Sequence, residues 1–140
     1  MILRLAALAV LVPLAAHAFP LVTPEEAALP PATPKPLTRG ITRGPAITLD
    51  APRDPIHSPF RLHVVFTAHG GDVIDPASVR VIYLRSKQVD LSTRLKPFTT
   101  GAGITLDGAE VPPGEHAFRI EVRDDAGHEA TADFVLKVAG

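Results

Sequence analysis

The sequence predicts an all-β fold, an antiparallel β-sandwich of about seven strands, and three observations carry that reading. Phe60–Ala68 reads F-R-L-H-V-V-F-T-A. Phe60, Leu62, Val64, Phe66 and Ala68 fall on one side of it, and Arg61, His63, Val65 and Thr67 on the other. The same alternation returns in Glu115–Asp124 and in Ala130–Val138, and a period of two marks a strand with one buried face. Finally, turn-forming clusters separate short apolar runs from Ala46 to the end of the chain, the spacing expected of two sheets packed face to face.

The elements follow in chain order. Met1–Ala18 is organised like a secretory signal peptide. Arg4 supplies the positive start, Leu5–Leu14 the short apolar stretch, and Ala16-His17-Ala18 a small-x-small cleavage site that would leave Phe19 first. The apolar run is shorter than the roughly 20 residues of a membrane-spanning helix. No transmembrane anchor is therefore expected after cleavage, and the expected location is periplasmic or secreted. Phe19–Pro45 contains Pro20, Pro24, Pro30, Pro31, Pro34, Pro36 and Pro45. Proline lacks an N–H and fixes φ, so this stretch predicts an extended, disordered spacer without helix or central strand. It includes the near-repeat Arg39-Gly40-Ile41-Thr42-Arg43-Gly44, and it reads as a tether.

The folded domain is expected over residues 46–140. Ala46–Asp50 is a short first strand, and Pro52, Pro55 and Pro59 punctuate the loop before Phe60–Ala68. His69-Gly70-Gly71-Asp72 is a turn, and Asp75-Pro76-Ala77-Ser78 a tight or single helical turn. Val79–Arg85 places Val79, Val81 and Tyr83 inward, but Ile82 and Leu84 make its other face unusually apolar. Coverage of that face is expected from the loop Ser92–Thr100, the spacer or a partner. Gln88–Ser92 adds a short strand and Ile104-Thr105-Leu106 another. After the turn Val111-Pro112-Pro113-Gly114, Glu115–Asp124 turns His116, Phe118, Ile120 and Val122 inward. Asp125-Ala126-Gly127 connects it to Ala130–Val138, which buries Ala132, Phe134, Leu136 and Val138.

Composition narrows the function. Hydrophobic residues make up 46% of the chain, enough for a core, and part of that share belongs to the leader. There are 14 Lys+Arg against 15 Asp+Glu, so no basic field exists to attract nucleic acid. The absence of cysteine excludes disulfides, thiolate metal sites, a cysteine nucleophile and a lipidated-cysteine anchor.

The run Val111–Val138, V-P-P-G-E-H-A-F-R-I-E-V-R-D-D-A-G-H-E-A-T-A-D-F-V-L-K-V, resembles the last hairpin of bacterial immunoglobulin-like and fibronectin-type-III-like exported domains. Ile74–Val81, I-D-P-A-S-V-R-V, is similar to a strand entry in the same domains. The resemblance covers about Ala46 to Gly140 and implies an immunoglobulin-like sandwich, a fold that hosts many unrelated activities. It also implies that His116 stands where such domains often carry a tyrosine that fastens a loop. A ring nitrogen of His116 is then expected to make that bond.

No reaction centre is legible. The histidines are His17, His57, His63, His69, His116 and His128, and no H-x-H or H-x₃-H spacing brings two together. His63 points outward and His116 inward on the opposite sheet, so these two should not meet. His69 and His128 lie in turns at the same end of the sandwich or at opposite ends. Asp124 and Asp125, with Asp72, Asp75 or Asp107, are oxygen ligands for a calcium ion in principle, but no D-x-D-x-D-G loop frames them. Ser58, Ser78, Ser86 and Ser92 lie in no G-x-S-x-G elbow. Gly70-Gly71 and Gly101-x-Gly103 are turn glycines rather than phosphate loops.

The expectation is therefore a non-catalytic exported binding module. It has no catalytic, cofactor-binding or metal residues, no cofactor and no nucleic-acid partner, and it binds another envelope protein or a surface polymer. The alternative is a periplasmic copper-binding protein of the copper-resistance C type. Asp125-Ala126-Gly127-His128 is similar to the D-G-H that precedes the last strand of those proteins. That reading requires His17 to survive as the first residue, and the chain lacks their methionine-rich segment. A small hydrolase is the third reading.

Overall fold

The computed structural model describes residues 18–32, 44–50 and 55–139. The leader, with Ala16 and His17 of its cleavage site, lies outside the described residues, as do residues 33–43 of the expected spacer. The strands are β1 (Phe19–Pro20), β2 (Ala46–Asp50), β3 (Phe60–Thr67), β4 (Arg80–Tyr83), β5 (Val89–Asp90), β6 (Thr99–Thr100), β7 (Gly103–Glu110), β8 (Gly114–Arg123) and β9 (Glu129–Val138). One-turn helices occupy Pro24–Ala27 (α1) and Ser92–Leu95 (α2), with 3₁₀ turns at Pro76–Ser78 and Lys96–Phe98.

The strands form two sheets. One runs β1-β7-β3-β2, with β6 also beside β7; the other runs β5-β4-β8-β9. With the two-residue β1 and β6 set aside, the first, second and fifth strands face the third, fourth, sixth and seventh. That is a Greek-key, immunoglobulin-like sandwich. Its core is the pair of inner faces the alternation predicts. Phe60, Leu62, Val64 and Phe66 of β3, with Ile104 and Leu106 of β7, meet Val81 and Tyr83 of β4 and Phe118, Ile120 and Val122 of β8. The hairpin β8–β9 keeps unbroken register from Gly114↔Val138 to Arg123↔Glu129.

The glycine at the head of β7 is a packing requirement. Gly103 pairs with Val65, and a Cβ there would overlap the Val64 carbonyl oxygen, at a φ of +151° that side chains disfavour. The strand is also longer than the three residues expected, because its pairing with β3 resumes beyond Asp107 and Gly108 after a register shift, from Leu62↔Leu106 to Phe60↔Ala109.

The largest departure lies in the expected spacer. Its first part is not free: residues 19–31 form an arm packed on the sandwich, so among the described residues the folded unit begins at Phe19 rather than Ala46. β1 pairs in parallel with β7, Phe19↔Ala109 and Pro20↔Glu110. Leu21 and Val22 are almost fully buried, and the Phe19 ring meets Phe98 edge-on at 5.2 Å. Proline does not forbid the helix that follows, because Pro24 stands at its first position, where no N–H bond is lost. Thr23 and Glu26 close a capping box: Thr23 Oγ1 accepts from Glu26 N at 3.2 Å, and Glu26 Oε1 accepts from Thr23 N at 3.1 Å.

The arm then crosses to the second sheet. Ser86 N donates to Pro30 O at 2.8 Å, and Pro31 bridges Arg85. Arg94 of α2 clamps it, donating to Glu26 Oε1 at 2.6 Å, Glu26 Oε2 at 3.0 Å and Leu21 O at 3.1 Å. On the outer face of β4, Ile82 is buried outside the main core, between its register partners Asp90 and Arg119.

Candidate functional site

Two polar clusters and one groove are the places where this fold gathers chemistry. The first cluster is interior. Tyr83 and His116 are almost completely buried, brought together because β4 and β8 are neighbours and both residues point inward. His116 Nε2 lies 2.6 Å from Pro112 O, and a carbonyl only accepts, so Nε2 carries the proton. Nδ1 is then an acceptor, and Tyr83 Oη donates to it at 2.7 Å. Arg85 Nε donates to the same Oη at 2.7 Å, and Arg85 Nη2 to Glu115 O at 3.3 Å. The chain Arg85–Tyr83–His116–Pro112 ties the turn before β8 to the sheet, by the bond expected of His116. Burial pushes the His116 pKa below its ordinary 6.5, the Pro112 carbonyl opposes this and the Arg85 charge adds to it. Burial likewise pushes Tyr83 up, against the Arg85 hydrogen bond. A neutral imidazole with both nitrogens occupied has no capacity left for a substrate.

The second cluster sits at a loop end. Asp124 closes β8, and its buried carboxylate organises the hairpin: Oδ1 accepts from Ala126 N at 3.1 Å and His128 N at 2.8 Å, while Oδ2 lies 3.0 Å from His128 Nδ1. Burial pushes its pKa up, but the His128 amide and imidazole and the Ala126 amide outweigh this and hold it below the ordinary carboxylate value. Asp72 arrives from the turn after β3. Ile74 bridges Asp124, Asp125 N donates to Val73 O at 2.9 Å, and Val73 N donates to Asp125 Oδ1 at 3.1 Å. This lacing leaves Asp72 Oδ2 3.8 Å from His128 Nδ1, and one ligand atom from each of Asp72, Asp124 and His128 lies within 4.8 Å of the others. The Asp72 N to His69 O bond, at 3.2 Å, puts His69 at this same end. Sequence reasoning weighed Asp72 with Asp124 as oxygen ligands and His128 apart from them; the lacing of Val73 and Ile74 to Asp124 and Asp125, which has no sequence signature, brings the three together.

The other residues weighed in the sequence are dispersed. His63 is on the outer face of the first sheet, 3.3 Å from Asp50, far from the interior His116. Asp107 pairs with Arg61 at 3.4 Å, and Asp75 caps the 3₁₀ turn through Ala77 N at 2.9 Å. Three serines are spent on backbone: Ser58 Oγ accepts from Val111 N at 3.0 Å, Ser92 Oγ from Val81 N at 2.9 Å, and Ser78 Oγ from Arg123 N at 2.9 Å. Among the described residues no buried side-chain nitrogen or oxygen lacks a partner. Buried polarity in this domain is consumed by its own loops and turns.

The groove was not legible in the sequence, because it lies where the arm, the loop before β3 and the turn after β7 converge. It is an open depression of about 630 Å³, lined in part by Ala18, the last residue of the expected leader. Pro20, Val22, His57, Pro59, Glu110 and Pro112 are among the residues that line it. None of its lining residues is aromatic. The cavity inside the core, at about 20 Å³ and wholly apolar, has room for no more than about one water molecule and offers it no partner. No family model, no curated protein and no solved structure matches this chain.

Proposed function

We propose that this chain is a non-catalytic binding module exported to the periplasm or beyond, and that its groove receives an extended segment of another envelope protein. The leader-like Met1–Ala18 and the cysteine-free composition support export. No helix among the described residues is long and apolar enough to cross a membrane. The observation that carries the binding reading is the groove itself: an open concavity lined largely by proline and valine, with His57 and Glu110 among its lining residues. A protein segment is favoured over a surface polysaccharide because the groove presents no aromatic ring on which a sugar would stack. Catalysis is disfavoured because Ser58, Ser78, Ser92 and the buried His116 are committed to structural bonds.

The test is capture from an envelope extract by the wild type and by His57→Trp, which fills the groove from an exposed position. A protein retained by the wild type and lost by the variant supports the reading. Equal capture by both, or no capture by either, counts against it.

A second reading, copper or another transition metal, rests on the convergence of Asp72, Asp124 and His128. A bound ion would raise the melting temperature, by an amount that grows with the logarithm of its concentration over Kd. Titration with Cu²⁺ and Zn²⁺ that stabilises the wild type but not His128→Ala would favour it, and unchanged melting would remove it.

A further inference from the structure

We propose that this fold shields the bond at which its own leader is removed, so that hydrolysis of Ala18–Phe19 has to precede docking of the arm. Met1–Ala18 is read here as the leader, as in the proposed export, and the new claim concerns when that leader can leave. Hydrolysis adds one water across the Ala18–Phe19 amide. The C–N bond breaks, Ala18 keeps the carboxylate and Phe19 gains a free amine.

The sequence alone predicts no such restriction. A free spacer running from Phe19 to Pro45 would leave the bond open to a peptidase before and after folding. In the structure the bond lies instead at the very start of the arm. Ala18 is exposed, but each residue from Phe19 to Val22 is engaged. Phe19 and Pro20 pair with Ala109 and Glu110, and the Phe19 ring packs edge-on against Phe98. The Leu21 and Val22 amides both donate to Glu110 O, at 3.0 and 3.4 Å, and these two residues are 1% and 2% exposed. Just beyond them, the Thr23–Glu26 capping box and the Arg94 clamp hold the next turn.

A peptidase takes its substrate as an extended segment, with residues on both sides of the scissile bond laid along the enzyme's cleft. Here the side that follows the bond is already committed, its backbone to β7 and its apolar side chains to the core. Phe19 cannot lie in an enzyme's cleft and against Phe98 at once. The bond is therefore presented only when the arm peels from β7, and cleavage of the folded chain follows the population of that open form. Opening withdraws Leu21 and Val22 from the core, which holds the open form to about one molecule in a hundred or fewer.

The test is cleavage by a bacterial leader peptidase of two substrates. One is the folded precursor, residues 1–140, its leader held in a mild detergent micelle. The other is a peptide of residues 10–26, which carries the bond but has no β7 to dock on. The expected result is cleavage of the peptide after Ala18, and cleavage of the precursor at least about 100-fold slower. Arg94→Ala loosens the arm without altering the sequence around the bond, and in the precursor it should raise the rate roughly threefold to tenfold. Equal rates for the peptide and the wild-type precursor would overturn the proposal while the leader reading stood. So would an Arg94→Ala precursor, folded by circular dichroism, that is cut no faster than the wild type. A peptide left whole, or cut elsewhere, would remove the leader reading and the proposal with it. The wild-type comparison decides even if the variant does not fold.

Discussion

His116 holds one proton, on Nε2, and the fold depends on its not taking a second. Protonation of Nδ1 would remove the acceptor for Tyr83 and place a cation beside Arg85. Because the folded pKa lies below the ordinary 6.5, the unfolded chain binds more protons in the interval between the two values. Stability is therefore full above about pH 6.5 and falls as the pH drops below it. Asp124 adds a second window. Its depressed pKa contributes stability above the ordinary 3.8 that is lost only as the pH falls through the lower, folded value. Urea midpoints measured at pH 7.5, 6.0 and 5.0 should decline, and His116→Gln, which keeps a donor and an acceptor without titrating, should flatten that decline. Tyr83→Phe removes the close donor to His116 Nδ1, leaving it only Arg85 Nη2 at 3.4 Å, and should cost about 1–3 kcal/mol at pH 7.5, read from the same titrations.

Among elements, the arm from Phe19 to Pro31 is the informative case. Its clamp, Arg94 on Glu26, is partly exposed, so its worth is modest. Arg94→Ala should cost on the order of 1 kcal/mol. It should also speed hydrogen exchange at the Leu21 and Val22 amides, which bond Glu110 O, while leaving β8 amides unchanged. The strands of the domain were legible because each buries one side of a period-two pattern, a local property. The arm was not. Its proline content argues for an unpaired chain, but β1 sits on a sheet edge and Pro24 at a helix start, the two places where proline loses nothing. Leu21 and Val22 were the available signal, two apolar residues adjacent in a polar, proline-rich context. The Ser92–Phe98 turns were missed for a related reason: Leu91, Leu95 and Phe98 have helical spacing, but Pro97 argues against a helix. Of the clusters, only a loop-fastening bond of His116 was expected, and that from the resemblance of the Val111–Val138 run rather than from any local pattern. The meeting of Asp72 with His128, the partnership of Tyr83 with His116 and the groove all depend on long-range pairing that no local pattern encodes.

At the scale of the molecule, the arm is part of the core rather than an appendage. A protein beginning at Ala46 loses Leu21 and Val22, each worth about 1.5–3 kcal/mol when buried. It should melt at least about 10 °C below one beginning at Phe19, as followed by circular dichroism; equal melting would show the arm to be dispensable. The pairing of Phe19 with Ala109 also carries a temporal consequence. The earliest ordered stretch of this polypeptide has nowhere to dock until β7 has been synthesised. A chain emerging from a ribosome or threading through a pore N-terminus first must hold that stretch open until most of it has passed. Closing so long a loop is slow, so the connectivity itself postpones docking of the arm until β7 has followed it.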